Sequence, residues 1–386
     1  MNHRVVITGI GAYTPLGNSF QQVQSELYAG NSGLTAHTLG ISAGQVTYDI
    51  DAKFDRFDIQ ITDRIARAAY LAYVDAKEDS KTNVDGVYFG TGAGGAGEIS
   101  KSHDSLYKSG RVRPTSLVTS MLNGAANFIA AKDQITGPVF TYSAACSSSS
   151  VALGEAYRAI AHGDVTTMAA GGGEFCLTPL VIAQWKAMQA LSDCCKPFSE
   201  SRNGIALGEG AVIYILENRD SAIARGAHIY AEIVGYGNSC GAETMTKPNE
   251  AGQIAAIKSA IKNIDPHAVT YINAHGTGTP AGDLVELSSI HQVFGERTQE
   301  IPVSSTKVLH GHLLGNSGAM ELLACLAVLD TDSVIPNWQL ADPDPAISEH
   351  IWLPTSTVAK KQQVCLNNSF AFGGTNIVMA FQKVDT

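Results

Sequence analysis

The chain has no long basic tract, no CxxC pair, no apolar run that could cross a membrane and no proline- or serine-rich linker. Each absence removes a class of protein. Without clustered Lys and Arg, and with a formal net charge of −10, nucleic acid is not an expected partner. The seven cysteines, at 146, 176, 194, 195, 240, 325 and 365, are odd in number and irregular in spacing. That pattern speaks against a disulfide framework or a structural zinc site and for a reducing compartment. No apolar stretch approaches the roughly 18–20 residues of a membrane span. The N-terminus runs directly into Val5–Thr8 without a charged-then-apolar leader. A soluble cytoplasmic protein is expected. Charge is sparse, 16% of residues against 45% hydrophobic, as in a globular chain with a generous apolar interior. The 38 glycines cluster beside apolar runs, which marks tight turns and close backbone packing around a site.

At 386 residues the chain is long enough for about two to three domain-sized units. Short apolar runs, several ending in glycine, recur at Val5–Gly9, Val87–Gly90, Met168–Gly171, Val212–Leu216, Ile229–Gly235 and Val269–Gly276. Such runs read as strands buried on both faces. Helical patterns lie between them at Arg64–Ala76, Ser147–Ala161 and Ser317–Leu329, which predicts an α/β fold. A weak internal echo pairs Arg4–Gly11 with Ile229–Gly235, and Gly90–Gly92 with His275–Gly278. Unequal offsets exclude a solenoid. Two related halves, 1–225 and 226–386, packed without a hinge, are expected.

Four segments carry candidate chemistry. In Tyr142–Ser150 an apolar run delivers Cys146 to the start of a helix. Unpaired N–H groups there favour a thiolate and can hold an oxyanion. The alternative is a small core cysteine beside an N-cap. In Asn273–Pro280, His275 follows a strand, where α/β sheets place ligand sites; alone it reads equally as a loop histidine. In Ser304–His312, Lys307 and His312 lie five apart near the start of the helix that holds Glu321. Lys307 is either a partner of Glu321 or a surface lysine. Leu366–Asn376 is a glycine-rich loop that supplies backbone donors, or a plain turn between strands.

Together, Cys146, His275, Lys307, His312 and the Asn368–Asn376 loop resemble the β-ketoacyl-acyl carrier protein synthases of the elongating type. The likeness runs from Val5–Gly11 through Gly208–Ala211 to Phe372–Asn376. It implies a thiolase-like five-layer αβαβα fold of two similar halves, dimeric in most members. It implies that Cys146 attacks an acyl thioester, with the backbone N–H groups of Cys146 and Phe372 as the oxyanion hole. His275 and His312 would hold the malonyl thioester carbonyl and stabilise the enolate left when carbon dioxide departs. Lys307, with Glu321, would organise the histidines. Thr277 and Thr279 would line the phosphopantetheine path, and Phe372 would gate the acyl pocket. Acyl carrier protein is the implied partner, with a homodimer or a heterodimer with a non-catalytic chain-length-factor subunit. Neither a metal nor a redox cofactor is expected.

Some positions depart from the family's commonest pattern: Ala144 for Thr, Ala371 for Gly, Lys247 for Ser, Ala93 for a bulkier acyl-pocket residue and Trp185 for Phe. They point to a specialised synthase, of a polyketide or aryl-polyene type, with an unusual acyl preference. Competing readings are weaker. Gly92–Gly97 fits GxGxxG, but no acidic partner follows at the expected distance. A metal hydrolase built on His275, His310 and His312 lacks an acidic ligand helix. Gly171–Phe175 resembles a cyclase signature by coincidence. A chain-length factor would lack the nucleophile, and thiolase motifs differ. Arg64, Arg67 and Lys132 could meet an acidic carrier, but ordinary surface charge is the simpler reading.

Overall fold

The computed structural model describes residues 3–241 and 243–384. Its spine is a continuous sheet of ten strands: β1 (Val5–Tyr13), β2 (Gly86–Gly90), β3 (Val139–Tyr142), β4 (Thr167–Glu174), β5 (Gly210–Asn218), β6 (Ala231–Cys240), β7 (Val269–Asn273), β8 (Val303–Ser304), β9 (Val364–Phe370) and β10 (Thr375–Gln382). The spatial order is β8-β7-β9-β10-β6-β1-β5-β4-β2-β3. Read outward from the centre, the two halves repeat one topology. β2 runs parallel to β3 and β4, while β5 lies antiparallel between β4 and β1. In the same way β7 runs parallel to β8 and β9, while β10 lies antiparallel between β9 and β6. The halves meet where β1 and β6 pair over Val5–Ile7.

Six helices complete the layers: α1 (Arg64–Ser80), α2 (Gly124–Asp133), α3 (Ser148–His162), α4 (Glu250–Ala260), α5 (Pro280–Phe294) and α6 (Ser317–Thr331). α1 and α2 pack in one outer core with β2 and β5. α4 and α5 pack in the other with β7 and β9. α3 and α6 fill the middle between the two half-sheets. This is the five-layer αβαβα arrangement. α6 is buried from Ser317 to Leu329, because a helix between two sheets has no face left for water.

The echo between halves has a steric basis. A Cβ on Gly9 or Gly11 would lie 2.1 or 1.8 Å from the carbonyl oxygens of Ala76 and Ala72 on α1. On Gly235 or Gly237 it would lie 2.0 Å from those of Ala260 and Ala256 on α4. In both halves a G-x-G strand against an alanine-bearing helix lets sheet and helix approach closely.

The expected strand Val269–Gly276 ends at Asn273, so His275 and Gly276 lie in the loop beyond it. Lys307 does not start the helix of Glu321. It opens a separate turn, Lys307–His310, and α6 begins at Ser317.

Candidate active site

The carboxyl ends of β3, β4, β7 and β9 face one region, and each delivers a functional group. After β3 the chain reverses at Ala145, whose φ of +46° is uncommon for a residue with a side chain. That bend sets Cys146 immediately before Ser147, the N-cap of α3, with Cys146 7% exposed. The Ser147 hydroxyl donates to the Ser369 carbonyl at 2.8 Å and so ties this corner to the end of β9. Beyond β9, the turn Phe372–Gly374 brings the Phe372 N–H to the Cys146 sulfur.

From the other half, His275 and His312 arrive with their rings edge to face, 5.3 Å apart. The Cys146 sulfur and a nitrogen of each ring lie within 4.8 Å of one another. All three residues are buried. The loop after β7 is anchored by Glu286 on α5, whose carboxylate accepts the backbone N–H groups of His275 and Gly276 at 2.7 Å each. Asn368 donates to the same carboxylate at 3.0 Å.

The hydrogen bonds behind the rings orient them. His312 Nδ1 accepts the Leu314 N–H at 3.1 Å and lies 2.6 Å from the Ser317 hydroxyl. The Lys307 ammonium, 3.4 Å from His275 Nδ1, offers only donors. With both Nδ1 atoms accepting, each Nε2 carries a proton. Burial, then the Lys307 charge, holds both imidazoles well below the usual histidine range. They are neutral N–H donors, not acids. Lys307 is itself fully buried, bonded to the Glu321 carboxylate and the His275 carbonyl.

At Cys146 burial opposes the thiolate that the helix start favours. Burial pushes the Cys146 thiol up to about 12, ahead of Lys307 and the Phe372 N–H, which pull it down. The alkylation rate of Cys146 by iodoacetamide, followed by peptide mass, should rise about tenfold per pH unit up to at least pH 9.5, because the thiolate fraction does. A plateau near neutral pH would show that the N–H groups and Lys307 outweigh burial.

A cavity of about 360 Å³ opens onto these groups. Cys146, His275, His312, Thr277, Thr279, Trp185 and Phe372 line it. The Thr277 and Thr279 hydroxyls are 3.0 Å apart. Trp185 stacks on Phe372, with centroids 5.9 Å apart and planes at 25°. Ala93 does not line this cavity. Its side chain packs in an apolar cluster with Trp185, Cys176, Val181 and Ile182.

Other sequence features resolve differently. The N–H groups of Gly92 and Ala93 donate to Glu174 at 2.7 and 3.1 Å, so they are not available to cradle a pyrophosphate. Glu174, at the end of β4, also accepts from Gly315 at 3.1 Å and Thr91 at 3.1 Å and links the two halves. His310 engages Thr306 with one ring nitrogen and the Gly311 carbonyl with the other. Arg67 is buried against Asp51 and Thr62. Lys132 pairs with Asp58 and Arg64 with Glu209. Sequence reasoning missed Glu286 and the positioning role of Glu174. For Glu174 the available signal was one acid at the end of an otherwise apolar strand, the pattern of a buried carboxylate that holds backbone donors; Glu286 shares its helix with Asp283 and several polar residues and does not stand out.

Comparison with known proteins bears on this geometry. Models of the beta-ketoacyl synthase N-terminal and C-terminal domains match residues 2–222 and 230–341. A protein named 3-oxoacyl-[acyl-carrier-protein] synthase 2, from Synechocystis sp., is 37% identical over 408 aligned positions, covering 98% of each chain. Among solved structures, the ishigamide ketosynthase/chain length factor superposes with a TM-score of 0.93 at 26% identity, covering all of both chains. A beta-ketoacyl synthase from Burkholderia phymatum superposes at 0.91 with 30% identity, covering 99% of this chain and all of the other.

Proposed function

The chain belongs to the beta-ketoacyl synthase family, and from that premise we propose that it condenses an acyl group held on Cys146 with a malonyl unit on acyl carrier protein. The observation that carries this reading is the convergence of Cys146, His275 and His312 within 4.8 Å. In the first half-reaction the sulfur of Cys146 bonds to the acyl carbonyl carbon and the bond to the carrier thiol breaks. The Cys146 proton ends on that departing thiol, so no net acceptor is needed. The N–H groups of Cys146 and Phe372 face the oxyanion. In the second half-reaction the malonyl thioester oxygen takes the Nε2–H bonds of His275 and His312. The bond to the carboxylate breaks, carbon dioxide leaves, and its electron pair becomes the enolate. The enolate carbon bonds to the acyl carbonyl, the C–S bond breaks, and the Cys146 thiolate takes a proton from water. The condensation changes no net oxidation state, and each turnover takes up one proton from water.

Lys307 fixes His275 from behind, and Glu321 balances its charge in the interior. Thr277 and Thr279 serve the carrier arm. The reading of 1–225 and 226–386 as two halves, one supplying the nucleophile and the other the histidines, is supported by the repeated strand order. Incubation with acyl-carrier thioesters should leave an acyl adduct on the intact protein, and malonyl-carrier should then release a 3-oxoacyl product. An adduct that persists in Cys146→Ala defeats the assignment.

An unusual acyl preference is supported by the exchange of bulk around the site. Small Ala93 and large Trp185 share one apolar cluster, and Trp185 covers the Phe372 gate. A panel of acyl-carrier primers should show a maximum away from the ordinary saturated series, and Trp185→Ala should shift it toward longer or bulkier chains. An ordinary saturated-chain profile overturns this.

A partner subunit is supported by the surface. β3 ends the sheet with Phe140 exposed, and Tyr107, Leu117 and Val118 are exposed as well. A second copy, or a chain-length-factor-like subunit as in the ishigamide protein, would cover them, with this chain as the member that retains the nucleophile. No helix of the described residues is long and apolar enough to cross a membrane. Seven unpaired cysteines support a reducing, cytoplasmic setting.

A further inference from the structure

The charge distribution along the cavity points to one further group. Of the charged side chains lining it, Asp283 and Glu286 are fully buried and occupied with backbone N–H groups. The third, Lys247, is exposed. Among the described residues no carboxylate lies within ion-pair distance of its ammonium, in a chain with net charge −10. An unpaired cation at the rim of a catalytic cavity attracts an anion, and focusing by the walls strengthens the effect.

The backbone around Lys247 is tied to neighbouring elements. Its N–H donates to the Thr244 hydroxyl at 3.0 Å. Asn249, two residues on, caps α4 through the Gly252 N–H at 2.7 Å. The Met245 carbonyl accepts the Gly373 N–H at 2.8 Å, which ties this loop to the turn that carries Phe372. The backbone that carries the cation is thereby tied to the segment beside Cys146.

We propose that Lys247 receives the phosphate group at the far end of the pantetheine arm as the thioester reaches Cys146. The inference rests on the synthase reading above. The arm is uncharged between thiol and phosphate, and the cavity matches it: neutral hydroxyls at Thr277 and Thr279 within, one cation at the mouth. An acidic side chain of the carrier is the competing occupant, and the two are separable.

The test compares three acyl donors of one chain length: acyl-pantetheine, acyl-phosphopantetheine and the acyl carrier itself. The quantity read is the ratio of kcat/KM for Cys146 acylation between the phosphorylated and unphosphorylated small donors. In the unaltered protein the phosphorylated donor is preferred. In Lys247→Ser that preference falls about tenfold, the size of one charge-assisted hydrogen bond at a partly solvated site. In Lys247→Glu it falls further or inverts, and Lys247→Arg retains it. A ratio unchanged in Lys247→Ser overturns the proposal. So does a loss confined to the carrier-bound donor, which would assign Lys247 to a carboxylate of the carrier. If the acyl carrier leaves no adduct on Cys146 of the unaltered protein, the synthase reading fails instead, independently of Lys247.

Discussion

His275→Ala and His312→Ala should each still accept an acyl group on Cys146 while losing decarboxylation of malonyl-carrier by roughly 10²–10³-fold. The expectation follows from the hydrogen bonds behind the rings. Both Nδ1 atoms accept, so both Nε2–H groups point as fixed neutral donors at one small volume beside the sulfur. A pair of donors in a buried site stabilises the charge that develops on a thioester oxygen as the enolate forms, with little reorganisation. Acyl transfer places its oxyanion elsewhere, at the N–H groups of Cys146 and Phe372, and does not need both rings. Cys146→Ala should show the opposite split, with no adduct but continued release of carbon dioxide. Intact mass for acylation and carbon dioxide release for decarboxylation read the two halves separately. Equal loss of both half-reactions in a folded histidine variant would sink the division of labour. Because the imidazoles are held well below their usual range, decarboxylation should also stay flat from pH 6 to 8, where an ordinary histidine titrates. A sigmoidal loss across that window would mean that a ring becomes charged.

Glu321→Ala should lower the free energy of unfolding by about 3–5 kcal/mol, measured by urea denaturation. Lys307 and Glu321 are both fully buried and bonded to each other between the half-sheets. Removing the carboxylate leaves an ammonium without its counter-charge in the interior, which costs far more than the pair contributes. Replacing both partners, Lys307→Met with Glu321→Leu, should recover most of the lost stability, since apolar groups of similar volume need no compensation. Activity should not return with it. The double variant lacks the cation that fixes His275 through its carbonyl and Nδ1. Stability without activity is the signature of a pair kept for positioning. If activity returned with stability, Lys307 would be a packing residue only.

How much of this was legible in the sequence depends on the range of the interaction concerned. The α/β alternation, the buried strands and the helix after Cys146 follow from local pattern, because burial on both faces demands unbroken apolar runs. The G-x-G echo of β1 and β6 was visible as text, and the structure supplied its reason in the contact with α1 and α4. Cys146, His275, Lys307 and His312 were readable as a set because their motifs keep their order along the chain. Their individual states were not. Whether the thiol rests protonated, which ring nitrogen carries hydrogen, and whether Lys307 meets Glu321 depend on burial and on partners up to 226 positions away, as between Cys146 and Phe372. Ala93 and Trp185 could be singled out by residue type, but only packing showed that one lines the cavity and the other stands behind it. Glu174 and Glu286 escaped notice because a carboxylate that gathers backbone N–H groups from distant loops leaves no periodic trace. The sequence by itself determined the α/β alternation and the order of the candidate groups, since these rest on local hydrophobic pattern and chain order, while the layers and the role of Cys146 came with the resemblance to the synthases. Protonation, tautomer and the charge at the cavity mouth were decided by tertiary structure alone, because electrostatics in a protein is set by what surrounds a group in space and by how much water reaches it.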